Sequence, residues 1–350
     1  MGVILMLKER VAPEYRMKLL VTGATGYIGS HTVVDLLENG YDVVGIDNFQ
    51  RSSPNTVEYI RERLGPNLYC VDLRNYHAIE RVIHEHPDIV GIIHFAAYKS
   101  VEESVKAPLD YYDNNIQSLT NLLRVAGERT VIFSSSCTVY GEPDVIPVTE
   151  ESPLKPASSP YGATKQMGER ILRDWSESTG ARVVLLRYFN PAGAHPSLDI
   201  GEDATPQSRN LVPLIVRAAA GRRGPLTVFG TDYPTRDGTC VRDYIHVCDL
   251  AAAHRKAFTY AQEKMPTAAV SVFNLGSGNG VTVQEAINAF ETVTGIAVPH
   301  VTAERRPGDI SAIYADSSLA ARGLNWKPVR SLLHIMQSAW DYDRKNPHTE

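Results

Sequence analysis

The stretch Gly23-Ala24-Thr25-Gly26-Tyr27-Ile28-Gly29 decides the fold. Before it, residues 18–22 (KLLVT) read as a short buried strand. After it, residues 30–38 (SHTVVDLLE) carry helical spacing and stop at Asn39-Gly40. A second apolar strand, 42–47 (DVVGID), follows. Together these make one βαβ unit of about the usual ~30 residues. The alternation continues outward, with strands expected at 67–71, 88–95, 130–134 and 182–186 and helices at 76–85, 109–126 and 161–179. Near-continuous apolar strands alternating with helices predict a parallel sheet covered on both faces. Right-handed crossovers then make it a doubly wound α/β fold of the Rossmann type.

At 350 residues the chain suits about two domains. The texture changes after Asn190: residues 191–240 are rich in Gly, Pro and Asp, with one apolar helix near 211–220. The expected organisation is an extension over 1–16, a larger unit over 17–189 to which 241–255 returns, and a smaller C-terminal unit over most of 190–350. No internal repeat or low-complexity tract interrupts it.

A net charge of −5 argues against nucleic acid as the main partner. The four cysteines, Cys70, Cys137, Cys240 and Cys248, form no CxxC and join no His cluster at zinc spacing. They read as free thiols in a reducing compartment, with no metal site expected. No apolar run approaches the ~20 residues that span a bilayer. Residues 1–16 fit neither a signal peptide nor a myristoylation site, and read as a disordered extension or as sequence upstream of a start at Met17. The expected location is cytoplasmic.

In the glycine turn, Gly23 serves the tight bend, Gly26 lets backbone approach a pyrophosphate, and Gly29 lets helix pack close to strand. The helix N-terminus adds free N–H groups and a favourable dipole for phosphate. Asp47 ends the second strand roughly 20 residues past the glycines, where an acid takes the ribose hydroxyls and repels a 2′-phosphate. That favours NAD over NADP, although Asp47 could also be a strand-end cap. Nearby Arg51 could pair with a 2′-phosphate and keeps NADP open.

Tyr161-Gly162-Ala163-Thr164-Lys165 is YxxxK, and on a helix the two ends share a face. A close ammonium stabilises phenolate and is expected to lower the Tyr161 pKa from its usual ~10. Alone, the pair could be an ordinary surface contact. Upstream, Ser134-Ser135-Ser136 close a strand, and ligands of doubly wound sheets bind at the carboxyl ends of strands. Any one of these serines could equally cap a turn. Their order and spacing, glycine turn, acid, serines, YxxxK, make the set strong.

With these residues the chain resembles the extended short-chain dehydrogenase/reductases, and among them the UDP-glucose 4-epimerases. The similarity runs from about Lys18 into the C-terminal region. It is carried by VTGATGYIGSHT (21–32), IHFAAYKSVEESV (93–105), YYDNN (111–115), FSSSCTVYGEP (133–143), SPYGATK (159–165), LRYFNPAGAHPS (186–197), VRDYIHVCDLA (241–251) and FNLGSG (273–278).

The resemblance implies roles. Tyr161 would be base and acid at the sugar O4, Lys165 would tune it and hold the nicotinamide ribose, and Ser136 would bond the sugar. Gly23, Gly26, Tyr27, Ile28, Gly29, Asp47, Asn48, Asp72, Leu73, Phe95, Ala96, Lys99, Asn114, Ser134 and Phe189 would join Tyr161 and Lys165 as NAD contacts. Lys99, Ser136, Tyr161, Asn190, Asn210, Leu211, Thr227, Phe229, Arg242, Tyr244, Arg306, Asp309 and Ile313 would face the UDP-hexose, making 190–350 mainly the UDP-sugar-binding unit. Arg242 and Arg306 suit a pyrophosphate, whereas Phe229 read alone suits a core position better. The resemblance implies reversible C4 epimerisation through a 4-keto sugar, with NAD reduced and reoxidised in each cycle. It also implies a homodimer built on the helices at 109–126 and 161–179. Ile313 falls beside the sugar C2 substituent, which implies preference for UDP-glucose and UDP-galactose with some room for UDP-GlcNAc and UDP-GalNAc.

Nucleotide-sugar 4,6-dehydratases share the fold but need an acid pair where this chain has Cys137-Thr138, neither a good general acid. UDP-glucuronate decarboxylase is a closer rival. A non-catalytic NAD-sensing regulator on this fold could dispense with Tyr161 and Lys165, and this chain keeps both.

Overall fold

The structure, a computed structural model, describes residues 16–205, 208–306 and 309–347. The extension expected over 1–16 lies, Arg16 apart, outside the described residues. The chain runs β1 (Lys18–Thr22), α1 (Tyr27–Glu38), β2 (Asp42–Asp47), α2 (Pro54–Leu64), β3 (Leu68–Cys70), α3 (Tyr76–Glu85), β4 (Ile89–His94), α4 (Val101–Lys106) and α5 (Pro108–Tyr112). It continues with α6 (Ser118–Ala126), β5 (Thr130–Ser136), α7 (Pro160–Thr179), β6 (Val183–Tyr188), β7 (Asn190–Ala192), α8 (Leu211–Ala219), β8 (Leu226–Phe229), β9 (Val241–His246) and α9 (Val247–Lys264). It ends with β10 (Val270–Leu275), β11 (Gly280–Thr282), α10 (Val283–Thr294), β12 (His300–Ala303), α11 (Ser318–Gly323) and α12 (Leu332–Lys345).

Seven parallel strands form the main sheet in the order β10-β6-β5-β4-β1-β2-β3. This is the doubly wound fold expected from the alternation. The strand pleat explains its two apolar layers. Leu19 and Val21 of β1 point to one face, where they pack with Val33 and Leu36 of α1 and Leu250 and Phe258 of α9. Leu20 points to the other, with Ile79 and Val82 of α3, Leu119 and Leu122 of α6, and Leu172 of α7. A third apolar cluster joins α8, α10, α12, β8 and β9 and defines the smaller unit. Its strands form two small sheets, β11-β9-β7 and β12-β8.

Of the segment expected to return, 241–255, the strand β9 pairs with β7 and β11 in the smaller unit. The helix that follows it, α9, packs on α1, and β10 then completes the large sheet beside β6. A parallel edge strand needs a helical crossover, and α9 supplies it.

The helix expected over 109–126 is α5 and α6 joined by a wider, π-type turn at Asp113–Gln117. Such turns are often found at functional sites. The short helices α2 and α4, absent from the sequence reading, are set by local caps: Pro54 opens α2, and the Ser100 hydroxyl accepts the Glu103 N–H to open α4. Among the described residues no helix is long and apolar enough to cross a membrane.

Candidate active site

The glycine turn sits between β1 and β4, where the strand order of the sheet reverses. Gly23 adopts φ +69, and a Cβ there would lie 2.8 Å from the Ala96 nitrogen. A Cβ at Gly29 would lie 1.9 Å from the Gly23 carbonyl oxygen, so only glycine lets α1 begin this close. Helix α1 therefore starts at Tyr27 rather than at Ser30. Gly26 caps it with no side-chain acceptor for the first N–H groups. An uncapped helix N-terminus is a ready anion site. The buried Asp47 carboxylate braces this turn: Oδ2 accepts the Thr25 N–H at 3.0 Å and Oδ1 the Phe49 N–H at 2.8 Å.

Around the turn stand the other residues expected to meet a dinucleotide. Asn48 reaches Asp72 at 3.4 Å. Asp72 is clamped by the Arg74 guanidinium, which pulls its carboxyl down to about 2. Phe95 lies against the His254 ring with centroids 4.6 Å apart, and the Ala96 N–H meets the Thr22 hydroxyl at 3.4 Å. Ile28 packs on the core at the base of α1, and Leu73 is buried in the opposite apolar layer. The Tyr27 hydroxyl donates to the Gly193 carbonyl at 2.7 Å and so joins α1 to the start of the smaller unit. The Lys99 ammonium stands 5.7 Å from the Tyr27 ring centroid. Asn114 donates to Asn115 at 3.0 Å. Asn115, which sequence reading missed, ties the π turn to Tyr98 and to Thr164 of α7 at 3.0 Å.

The three serines at the end of β5 have three different tasks. The Ser134 carbonyl accepts from the Lys165 ammonium at 2.7 Å, while its hydroxyl pairs with the Tyr188 hydroxyl. Ser135 donates to Glu169 at 2.6 Å. Ser136 caps the next turn by accepting the Thr138 N–H, and its hydroxyl lies near enough to the Tyr161 phenol to ease that group's pKa downwards. Tyr161 and Lys165 are both buried on the inner face of α7, which Ser159 caps by accepting the Gly162 N–H at 3.1 Å. The ammonium lies 5.8 Å from the Tyr161 ring centroid.

Here the sequence expectation needs correction. Burial dominates the phenol and holds it well above its ordinary range, with only the Ser136 hydrogen bond easing it back. Lys165 does not offset this, because burial brings its own pKa down to about 8 against the opposing charge of Glu169. Glu169 lies one helical turn past Lys165 on the same face, and this spacing could have revealed it. It forms a buried, two-pronged ion pair with Arg187, at 2.8 and 2.6 Å.

The facing wall comes from the smaller unit. Arg242 donates to the Val241 and Ile310 carbonyls at 2.9 Å, and Arg306 grips Asp309 with two bonds of 3.0 Å. Both guanidinium groups thus converge on Asp309. Phe229 is 38% exposed with the Arg306 guanidinium 5.3 Å from its ring centroid, so it is a surface platform and not the core residue its type suggested. Thr227 precedes it on β8. The Asn190 amide donates to the Asp243 carbonyl at 3.1 Å. Asn210 opens α8 just before Leu211, and its amide donates to Glu202 at 2.6 Å. Glu202, also missed, brings Lys99 within 3.5 Å of the same oxygen. Tyr244 is buried in the smaller unit's apolar cluster. Phe189 and Ile313 are buried together with Val139, Tyr140, Val148 and Ala315 in one apolar cluster.

Burial pushes the Cys137 thiol up to about 12, and the Thr138 hydroxyl is buried without a partner. Neither can serve as a general acid. Among the described residues no group of three or more His, Cys, Asp or Glu side chains is arranged to hold a metal ion.

The sequence matches the family profile described as GDP-mannose 4,6 dehydratase over residues 20–339. It is 46% identical to UDP-glucose 4-epimerase 2 of Arabidopsis thaliana, across 94% of this chain and 96% of that one. The chain belongs to the UDP-glucose 4-epimerase family. Among solved epimerase structures, that from Bifidobacterium longum in complex with NAD+ and UDP superposes with a TM-score of 0.88 at 42% identity, covering 95% of this chain and 99% of that one. The Stenotrophomonas maltophila epimerase, with bound NAD and formylated UDP-arabinopyranose, superposes with a TM-score of 0.89 at 41% identity, covering 94% and 98%. After Ser136 the chain carries Cys137 and Thr138, neither of them an acid.

Proposed function

We propose that the chain interconverts UDP-glucose and UDP-galactose by inverting C4 of the hexose, with NAD held across the glycine turn. One observation carries this reading: Tyr161, Lys165 and Ser136 meet at the carboxyl end of β5, with no general acid for dehydration beside them. The residues present suit NAD. The uncapped α1 N-terminus suits its pyrophosphate and Asp47 its adenosine ribose, while Asn48, Asp72, Ala96, Lys99 and Asn114 line the way to Lys165. NAD bound there supplies the acceptor and donor of a C4 hydride and, when oxidised, a positive ring beside the phenol.

The rest is done by the chain. With the positive charge of oxidised NAD offsetting the burial that raises the phenol, Tyr161 would take the proton from the sugar O4 and later return it. Ser136, near the same phenol, holds O4 in line. Lys165, fixed by the Ser134 carbonyl, keeps a positive charge beside the reacting oxygen. Arg242 and Arg306 hold the diphosphate while Phe229 backs the uracil. With the diphosphate anchored, the 4-keto sugar turns and presents its other face. Asn190, Asn210 and Leu211 complete the pocket, and Ile313 borders the C2 substituent. An aliphatic side chain there favours UDP-glucose and UDP-galactose and leaves limited room for UDP-GlcNAc and UDP-GalNAc.

Incubation with UDP-galactose, and separately with UDP-GalNAc, without added NAD and with separation of the epimers, tests this. UDP-glucose must form. Release of a 4-keto product with loss of water would overturn the reading.

The chain pairs as a homodimer in this reading. Val101, Val105, Leu109 and Met167 stand exposed on α4, α5 and α7, an apolar group that a second copy would cover. Sedimentation of the full chain beside Leu109→Asp tests this, with a dimer expected only for the former. Free thiols at all four cysteines suit the cytoplasm.

A further inference from the structure

We infer that Glu103 sets the preference of this chain for NAD over NADP by holding Arg51 away from the ribose that Asp47 receives. The inference rests on the proposed binding of NAD at the glycine turn. Asp47 is the familiar half of such discrimination, since its carboxylate repels a 2′-phosphate. It leaves a second problem unsolved, because the loop that follows β2 carries a cation. Thr25 places that loop: its N–H donates to Asp47 at 3.0 Å and its hydroxyl to Ser52 at 2.8 Å. Arg51 is the residue before Ser52. A guanidinium so close to the ribose site is the side chain that would grip a 2′-phosphate, planar and two-pronged.

Arg51 is instead committed elsewhere. Its Nη2 donates to Glu103 Oε1 at 2.7 Å, and its guanidinium lies 4.7 Å from the Tyr98 ring centroid. Glu103 is itself braced. Its other oxygen accepts from the Tyr111 hydroxyl at 3.0 Å, and that hydroxyl accepts the Ser100 N–H at 3.0 Å. The ion pair is exposed, 60% at Arg51 and 39% at Glu103, so it adds little stability. Its effect is positional: a braced carboxylate on α4 keeps the arginine turned towards the loop after β4. The second cation of this region, Arg74, is neutralised in the same way by Asp72 and Asp113. Arg51 and Arg74 both line a cavity of about 260 Å³, yet each already faces a carboxylate there. Both guanidinium groups are therefore held against carboxylates instead of being turned to a phosphate on the ribose.

Glu103 is thus a positioning residue, and its effect must run through Arg51. The full chain is incubated with equimolar NADH and NADPH and desalted, and the retained dinucleotides are quantified. The unaltered chain retains NADH. Asp47→Asn alone narrows the ratio. Adding Glu103→Gln to Asp47→Asn shifts it by a further factor of about ten towards NADPH, the size of one charge-assisted contact. Adding Arg51→Ala as a third change abolishes that further shift. A ratio unmoved by Glu103→Gln, or a shift that survives Arg51→Ala, overturns the inference. Retention of neither dinucleotide by the unaltered chain would instead overturn the proposed binding of NAD. A merely structural role for Glu103 would weaken both dinucleotides alike and leave their ratio unchanged.

Discussion

The Lys165 ammonium donates to the carbonyl of Ser134 at 2.7 Å, which fastens the inner face of α7 to the end of the strand that leads to Ser136. Tyr161 and Ser136 are therefore set by one bond. Lys165→Met removes both that bond and the charge, and is expected to lower kcat by about a hundredfold or more, the scale of a lost general acid–base arrangement. Steady-state kinetics with UDP-galactose measure it, and a loss under threefold would remove Lys165 from the mechanism.

Tyr161→Phe keeps the ring in its buried place and deletes the proton carrier. Epimerisation should fall by about three orders of magnitude while retained NAD and the melting temperature stay close to those of the parent. Full activity in this variant would end the proposed chemistry.

Burial brings Lys165 down to about 8. The ammonium is then lost as pH rises through that value, so kcat should decline on an alkaline limb near pH 8. Glu169 opposes the shift, and weakening its charge should move the limb to lower pH. A pH–rate profile flat to pH 10 would refute the assignment.

Glu169 and Arg187 are each 3% exposed at the side chain and bond only within the protein. Glu169→Gln would leave the guanidinium buried without its counter-charge. Loss of one partner of such a pair costs about 3–5 kcal/mol. Urea unfolding should show it, and a change below 1 kcal/mol would mean that water reaches Arg187.

Burial lowers His31, His94 and His246 to about 3 and His254 to about 4. These rings stay neutral in the fold but bind protons once unfolded below the ordinary histidine value of ~6.5. The unfolded chain then holds more protons, so stability falls as pH drops from about 6.5 towards 3, by up to ~1.4 kcal/mol per pH unit for each ring. Melting temperatures taken from pH 7 to pH 4.5 should fall steadily. A constant melting temperature would mean that the rings are solvated.

The sheet and its glycine turn were legible because their causes are local. An apolar strand, a bend only glycine can make, and a helix starting against it are contiguous in the chain. YxxxK was legible for the same reason, as one turn of helix. The phenol's environment was not, since the burial that raises Tyr161 comes from residues far away in sequence. Nor could spacing reveal that Arg242 and Arg306 converge on Asp309, or that Glu202 reaches both Lys99 and Asn210. The π turn that orients Asn115 left no periodic mark, and β10 was not read as a strand, because only its pairing with β6 in the folded sheet gives it a place.

The late arrival of β10 and α9 also bears on how the molecule can be divided. A fragment ending near residue 189 would contain every residue of the glycine turn and YxxxK. It would nonetheless leave β6 as a bare, apolar sheet edge and strip α1 of the helix that covers it. Such an edge recruits strands from other molecules. The N-terminal half should accordingly precipitate when expressed alone, and a nascent chain must wait for residue 275 before its sheet is closed to aggregation.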